Sequence, residues 1–219
     1  MLNYGIELEF FVSDKEGNYI PAYKATSNTD GNPVIGEIKT KIYSSITDCV
    51  FEMDKLLYLE REKISNKGYI LCLIPSIKVD NDFLKNIRND AAYINKKSLD
   101  VLSELSIYGK ATGKILPRGI YKASLQLNIS DNNTIRYIAA KRYPGNEHYT
   151  PCDAELQKAD VFDYVSIIRK LDDTFSKEIS EAKRVRGVYA IKDGDSGKRI
   201  EYRSLPNNIY SHSLISALK

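Results

Sequence analysis

Three short segments place polar side chains at alternate positions: Glu7-x-Glu9, Gln126-x-Asn128 and Glu201-x-Arg203, with Arg184 and Arg186 upstream of the last. Residues two apart in an extended chain share a face and lie about 7 Å apart. Glu7 and Glu9 can therefore serve neighbouring metal ions, or one ion and its bound water. Glu201 and Arg203 set an acceptor beside a permanent cation. Carboxylates next to arginines are what a site needs to hold Mg²⁺ while neutralising phosphate oxygens. The histidines are only His148 and His212, so a metal here is held mainly by carboxylates, which favours Mg²⁺ or Mn²⁺ over Zn²⁺. Any one of these pairs is more simply explained as the solvated face of an antiparallel strand. All three pairs together with the arginines point to such a site where one pair alone does not.

These residues need strands beneath them, and the hydrophobic pattern supplies strands. Residues 2–12 alternate, with Leu2, Tyr4, Ile6, Leu8, Phe10 and Val12 on one face. Turn chemistry at Asp14 to Asn18 is followed by a short strand over Tyr19 to Tyr23, a polar loop at Thr26 to Pro33, and a strand over Val34 to Lys39. From Ile42 the period changes: Ile46, Val50, Met53 and Leu57 predict a helix over 41–63. A buried strand is expected over Tyr69 to Ile77, a helix over 82–107, a loop over 109–119 and a strand over Tyr121 to Ser130, ended by Asp131-Asn132-Asn133. A long helix at about 155–182 precedes a hairpin formed by Gly187 to Lys192 and Lys198 to Leu205. Long helices between strands predict an α+β domain with helices packed on one face of the sheet. Without a linker or composition shift, residues 1–219 read as a single domain.

Composition narrows the function classes. The chain is 42% hydrophobic and 28% charged, as ordinary folded domains are. Its 32 basic and 29 acidic residues leave a net charge of +3 without a basic run of the kind that binds nucleic acid. No apolar stretch approaches the ~20 residues needed to span a bilayer, and the acidic N-terminal segment is unlike a signal peptide. The expectation is a cytoplasmic protein with neither nucleic-acid nor membrane partners. Cys49, Cys72 and Cys152 lack Cys-x-x-Cys spacing and are expected to be buried free thiols.

The motifs also carry a resemblance. Gly5-Ile6-Glu7-Leu8-Glu9-Phe10 resembles the opening metal-binding strand of the glutamine synthetase and glutamate-cysteine ligase superfamily, and more closely of the predicted phage-type COOH-NH₂ ligases. Arg184-Val185-Arg186-Gly187-Val188-Tyr189, followed by Arg199-Ile200-Glu201-Tyr202-Arg203-Ser204-Leu205-Pro206-Asn207, is similar to the superfamily's arginine segment and Glu-x-Arg strand. Thr29-Asp30-Gly31 with Glu37 resembles its second acidic segment. Ala123-Ser124-Leu125-Gln126-Leu127-Asn128 resembles the strand that carries His-x-His in many relatives and Gln-x-Asn in some glutamate-cysteine ligases.

The resemblance implies a glutamine synthetase catalytic-domain-like fold with a curved, mainly antiparallel sheet. It implies a ligase that uses ATP and Mg²⁺, or Mn²⁺ in its place, to join a small-molecule or peptide carboxylate to an amine through an acyl phosphate. Glu7, Glu9 and Glu201 would hold the metal ions, and Glu37 would be a further ligand or an amine-site residue. Arg186 and Arg203 would stabilise the transferring phosphoryl group, while Arg184, Gln126 and Asn128 would contact nucleotide or substrate. Relatives often build active sites between subunits, which fits a homo-oligomer; a phage-encoded member would work in the host cytoplasm. The chain ends soon after Asn207-Asn208, leaving little room for the C-terminal helices such enzymes carry.

Competing readings attach to several residues. Asp30 lies in Asn-Thr-Asp-Gly-Asn-Pro, which is good turn chemistry in its own right. Lys192 beside a hairpin is more often solvent-facing than functional, and Tyr189 is most simply a core residue. A nucleotide- or ligand-binding module that kept the sheet and lost turnover is the main alternative function, supported by the neutral amides Gln126 and Asn128. Mutual repulsion of Glu7, Glu9 and Glu201 without a cation weighs against it. A virion or assembly protein with incidental polar strands ranks last.

Overall fold

The computed structural model describes residues 2–30, 34–89, 120–131, 150–151, 164–194, 197–209 and 211–219. The expected helix beyond Asn89, the loop 109–119, the start of the 155–182 helix, Cys152 and His148 lie outside them. The protein is α+β, with antiparallel strands and helices. Two compact units divide the 1–219 span: residues 1–8, 39–56 and 124–219 form the first, and residues 9–38 and 57–123 the second.

In the first unit, β1 (Leu2–Ser13, to Leu8 in this unit), β7 (Leu125–Asp131), β10 (Gly197–Tyr202), β9 (Val188–Gly194) and β8 (Thr150–Pro151) lie in that order, antiparallel throughout. Register decides which side chains share a face. Glu7 pairs with Gln126, Gly5 and Glu201 both pair with Asn128, and Arg199 pairs with Ser130. The alternate residues Ile6, Leu8, Leu127, Ile129, Ile200 and Tyr202 are buried on the opposite face. Helix α3 (Tyr164–Thr174) is tied to that face by the Tyr202 hydroxyl, which donates to Asp172 Oδ1 at 2.5 Å. Tyr189 is fully buried, as expected of a core residue.

Helix α1 (Ile46–Ser65) starts later than its apolar spacing predicts, because Ser45 Oγ accepts the Asp48 amide at 3.3 Å and so caps the helix there. Residues before it are held in a bridge between Tyr4 and Tyr43. Gly68, at φ 83°, closes the other end in the left-handed conformation that glycine adopts without strain. The predicted 155–182 helix is divided at Phe175 into α3 and α4 (Ser176–Glu181). Its apolar residues Ile168, Leu171, Phe175 and Ile179 are buried, as their spacing requires. Sequence reasoning missed α5 (His212–Leu218), where Ser211 Oγ donates to Asp54 on α1 at 2.8 Å and His212 lies 2.7 Å from the same carboxylate.

In the second unit, the remainder of β1 pairs with β2 (Tyr19–Ile20), β3 (Gly36–Lys39) and β4 (Ile70–Cys72). The expected strand over Tyr19 to Tyr23 stops at Pro21, and Ala22–Lys24 turns as a 3₁₀ helix. The strand expected over 69–77 is two strands: β4 pairs with β1, whereas β5 (Ser76–Lys78) pairs with β6 (Ile120–Lys122). Pro75 between them has no amide to donate, and its carbonyl accepts the Ala123 amide at 3.0 Å. The strand expected over 121–130 likewise changes partner, becoming β6 before Ala123 and β7 after Ser124. Phe11, Tyr23, Val34, Ile35, Ile77, Leu84, Ile87 and Ala123 form this unit's core, with Leu84 and Ile87 supplied by α2 (Asn81–Asn89).

Candidate functional site

The expected residues fall into two clusters of different chemistry. The first unit gathers Glu7, Asn128, Glu201 and Arg203 on the face opposite its apolar core. Lys39 and Arg199, which sequence reasoning did not select, join them. Glu201 is fully buried, and both Nε and Nη2 of Arg203 engage its Oε1. Arg199 Nη2 lies 3.8 Å from Glu201 Oε2 and 3.8 Å from Glu7 Oε1. Lys39 Nζ donates to Glu7 Oε2 at 2.8 Å, and Asn128 Nδ2 donates to Glu7 Oε1 at 3.0 Å.

A buried carboxylate is tolerated when cations and hydrogen bonds replace its lost hydration, and here arginines do so. Arg199 was legible in principle, being two residues before Glu201 on the same strand face. Lys39 is likewise two residues after Glu37. Among the described residues, Asn128 Oδ1 and Arg199 Nε are buried without a hydrogen-bond partner, so an acceptor and a donor of this cluster are left for something else to satisfy.

Three expected residues contribute less directly. Gln126 is buried beside Glu7 in register, and its Nε2 lies 3.3 Å from Ser124 Oγ. Arg184 Nη2 donates to the Arg203 carbonyl at 2.8 Å, fixing the backbone that carries the Arg203 side chain. Arg186 is 53% exposed and pairs with the exposed Asp173, a surface contact with no link to Glu201 or Glu7. Lys192 lies on β9 in register with Arg199.

The segment after β10 continues in extended pairing. Arg203 N donates to the Val188 carbonyl at 2.8 Å, Leu125 N donates to Leu205 at 3.1 Å, and Val188 N donates to Ser204 Oγ at 2.9 Å. Ser204 and Asn207 are buried. Beneath Gly5 and Ile6, Thr40 Oγ1 accepts the Ile6 amide at 2.9 Å and lies 3.3 Å from Cys49 Sγ. Burial pushes the Cys49 thiol pKa above its ordinary value.

The second unit brings three carboxylates together. One oxygen each from Glu9, Asp30 and Glu37 lie within 4.8 Å of one another, with Glu9 and Glu37 buried. Strand β1 carries Glu9 and β3 carries Glu37. Asp30 comes from the loop whose Thr29 bridges Gly36, and its own amide donates to the Ile35 carbonyl at 3.0 Å. Gly36 makes this approach feasible: a Cβ there would lie 2.2 Å from the Phe10 ring. Three hard oxygen donors suit Mg²⁺ or Mn²⁺. Asp30, for which turn formation was an equal explanation, lies in that loop and beside the two buried acids.

The fold and these clusters describe an α+β protein with a carboxylate–arginine face and a separate triad of acids. No family model matches the sequence, and no curated protein matches it. Among the described residues no helix is long and apolar enough to cross a membrane.

Proposed function

We propose that the chain is an ATP- and Mg²⁺-dependent ligase that joins a carboxylate to an amine, on a glutamine synthetase catalytic-domain-like fold. The observation that carries this reading is the convergence of Glu9, Asp30 and Glu37, the acids of two family-like segments. In this reading those three residues hold the divalent cation, which when bound neutralises phosphate oxygens. Glu7 and Glu201 instead hold Lys39, Arg199 and Arg203 in place within the first unit, a row of cations of the kind that stabilises anionic oxygens. The γ-phosphoryl of ATP passes to the substrate carboxylate. The amine then attacks the acyl carbon, and phosphate leaves far more readily than oxide would.

A second reading is a binding module on the same fold without turnover. Its support is the Asn128 amide, which donates to Glu7 where many relatives place a histidine. Calorimetry of ATP with and without Mg²⁺, followed by phosphate release with pooled amino acids, separates the two. The ligase reading expects Mg²⁺-dependent binding and amine-stimulated phosphate release, both lost in Glu37→Gln. Binding without phosphate release would favour the module, and absence of binding would sink both.

A further inference from the structure

We propose that Glu60, on the part of α1 in the second unit, is a positioning residue that sets the divalent-cation affinity of the Glu9, Asp30 and Glu37 cluster. This rests on the reading of that cluster as the cation site. Glu60 continues the apolar stripe of α1 from Met53 through Leu57 to Ile64, where a core side chain is expected, and it is only 1% exposed. A carboxylate in such a place is costly unless it is well paired.

Its partners lie chiefly in one loop. Glu60 Oε1 accepts from Thr26 Oγ1, and Oε2 accepts from Asn28 Nδ2 at 2.7 Å, with Lys63 Nζ at 3.7 Å from the same oxygen. Thr26 Oγ1 also accepts the Asn28 amide at 3.0 Å, and Lys67 Nζ donates to the Ala25 carbonyl at 2.7 Å.

The far edge of that loop carries the cluster. The Asn28 carbonyl accepts the Glu37 amide at 3.1 Å, Thr29 bridges Gly36, and Asp30 follows directly. One residue, Asn28, thus donates a side-chain bond to the helix and accepts a backbone bond from a cluster acid. An apolar residue at 60 would fill the stripe without fixing the loop. The carboxylate fixes the register in which Asp30 meets Glu37, as partners behind metal ligands do in established metal sites.

The test is titration of the full chain with Mn²⁺ alone, followed by electron paramagnetic resonance of the free ion. Glu60→Gln opposes an amide N–H to the Asn28 N–H and should weaken Mn²⁺ binding about tenfold or more. Asn28→Ala, at an exposed residue, should do the same without a buried change. The double variant Glu60→Gln with Asn28→Asp reverses donor and acceptor, keeps the net charge, and should recover most of the affinity. Ile77→Val, in the same unit's core, should lower stability and leave Mn²⁺ affinity unchanged. Wild-type affinity in both Glu60→Gln and Asn28→Ala would overturn the proposal, as would an equal loss in Ile77→Val. A wild-type chain that binds no Mn²⁺ would remove the cation-site reading itself, and this proposal with it.

Discussion

In the first unit, Glu7 and Glu201 lie against Lys39, Arg199 and Arg203; in the second, Glu9, Asp30 and Glu37 face one another. The same functional group is therefore used in two opposite ways. A carboxylate already opposed by arginine contributes to the fold, and its removal strands a half-buried cation. Carboxylates gathered within reach of one another offer oxygens that a divalent cation can share. Stability and ligand binding should consequently respond in opposite directions to the same Glu→Gln change in the two units.

Glu201→Gln gives the largest expected effect. It leaves Arg203 and Arg199 beside a neutral amide at a fully buried position, and breaking such a pair typically costs about 3–5 kcal/mol. Urea denaturation of the two proteins measures this, and an unchanged midpoint would mean that the arginines do not depend on Glu201. Gly36→Ala should come next. Its Cβ meets the Phe10 ring, and overpacking of this kind costs roughly 1–3 kcal/mol. Because Glu37 is the next residue, the same change should weaken Mg²⁺-induced thermal stabilisation.

Glu37→Gln sharpens the comparison most. In chelator its melting temperature should stay close to that of the wild type. Added Mg²⁺ should raise the wild-type midpoint and leave that of the variant in place, since only a ligand bound to the folded state stabilises it. A clear loss of stability in chelator would instead place Glu37 among the structural ion pairs.

The smallest effect concerns Cys49 in the first unit. Its raised pKa favours the neutral thiol in the folded state, so this contribution is present below the ordinary thiol range and lost as pH rises through the raised value. Iodoacetamide at mildly alkaline pH should modify Cys49 more slowly in the folded protein than in urea, as read by peptide mass spectrometry. Equal rates would contradict its burial.

The strands carrying these residues were legible because alternation has a period of two and one face must be apolar. Residues 2–12 and the Glu201 strand show this well. Partner changes were not legible: alternation runs unbroken through Ala123 and Ser124 although the hydrogen bonds pass from Pro75 to Leu205 there. Pro75 offered the only local clue to the corresponding break after β4.

Spacing marked the candidate residues, but how they divide between two clusters depends on tertiary pairing. Strand spacing puts Glu7 and Glu9 on one face, yet cannot show that Glu7 meets Lys39 while Glu9 meets Glu37. Arg186 illustrates the limit in the other direction, since motif position alone selected a side chain that pairs with surface Asp173. Glu60 was not singled out from the sequence, although a charge on an apolar helical stripe is a pattern that marks a buried polar residue without naming its partners.

Titration of Mn²⁺ into the wild type, Glu37→Gln and Glu201→Gln, each under conditions where it is folded, tests the division most directly. The account predicts binding by the wild type, retained in Glu201→Gln and lost in Glu37→Gln. Binding that survives Glu37→Gln but is abolished by Glu201→Gln would place the cation on the arginine-bearing face and contradict it.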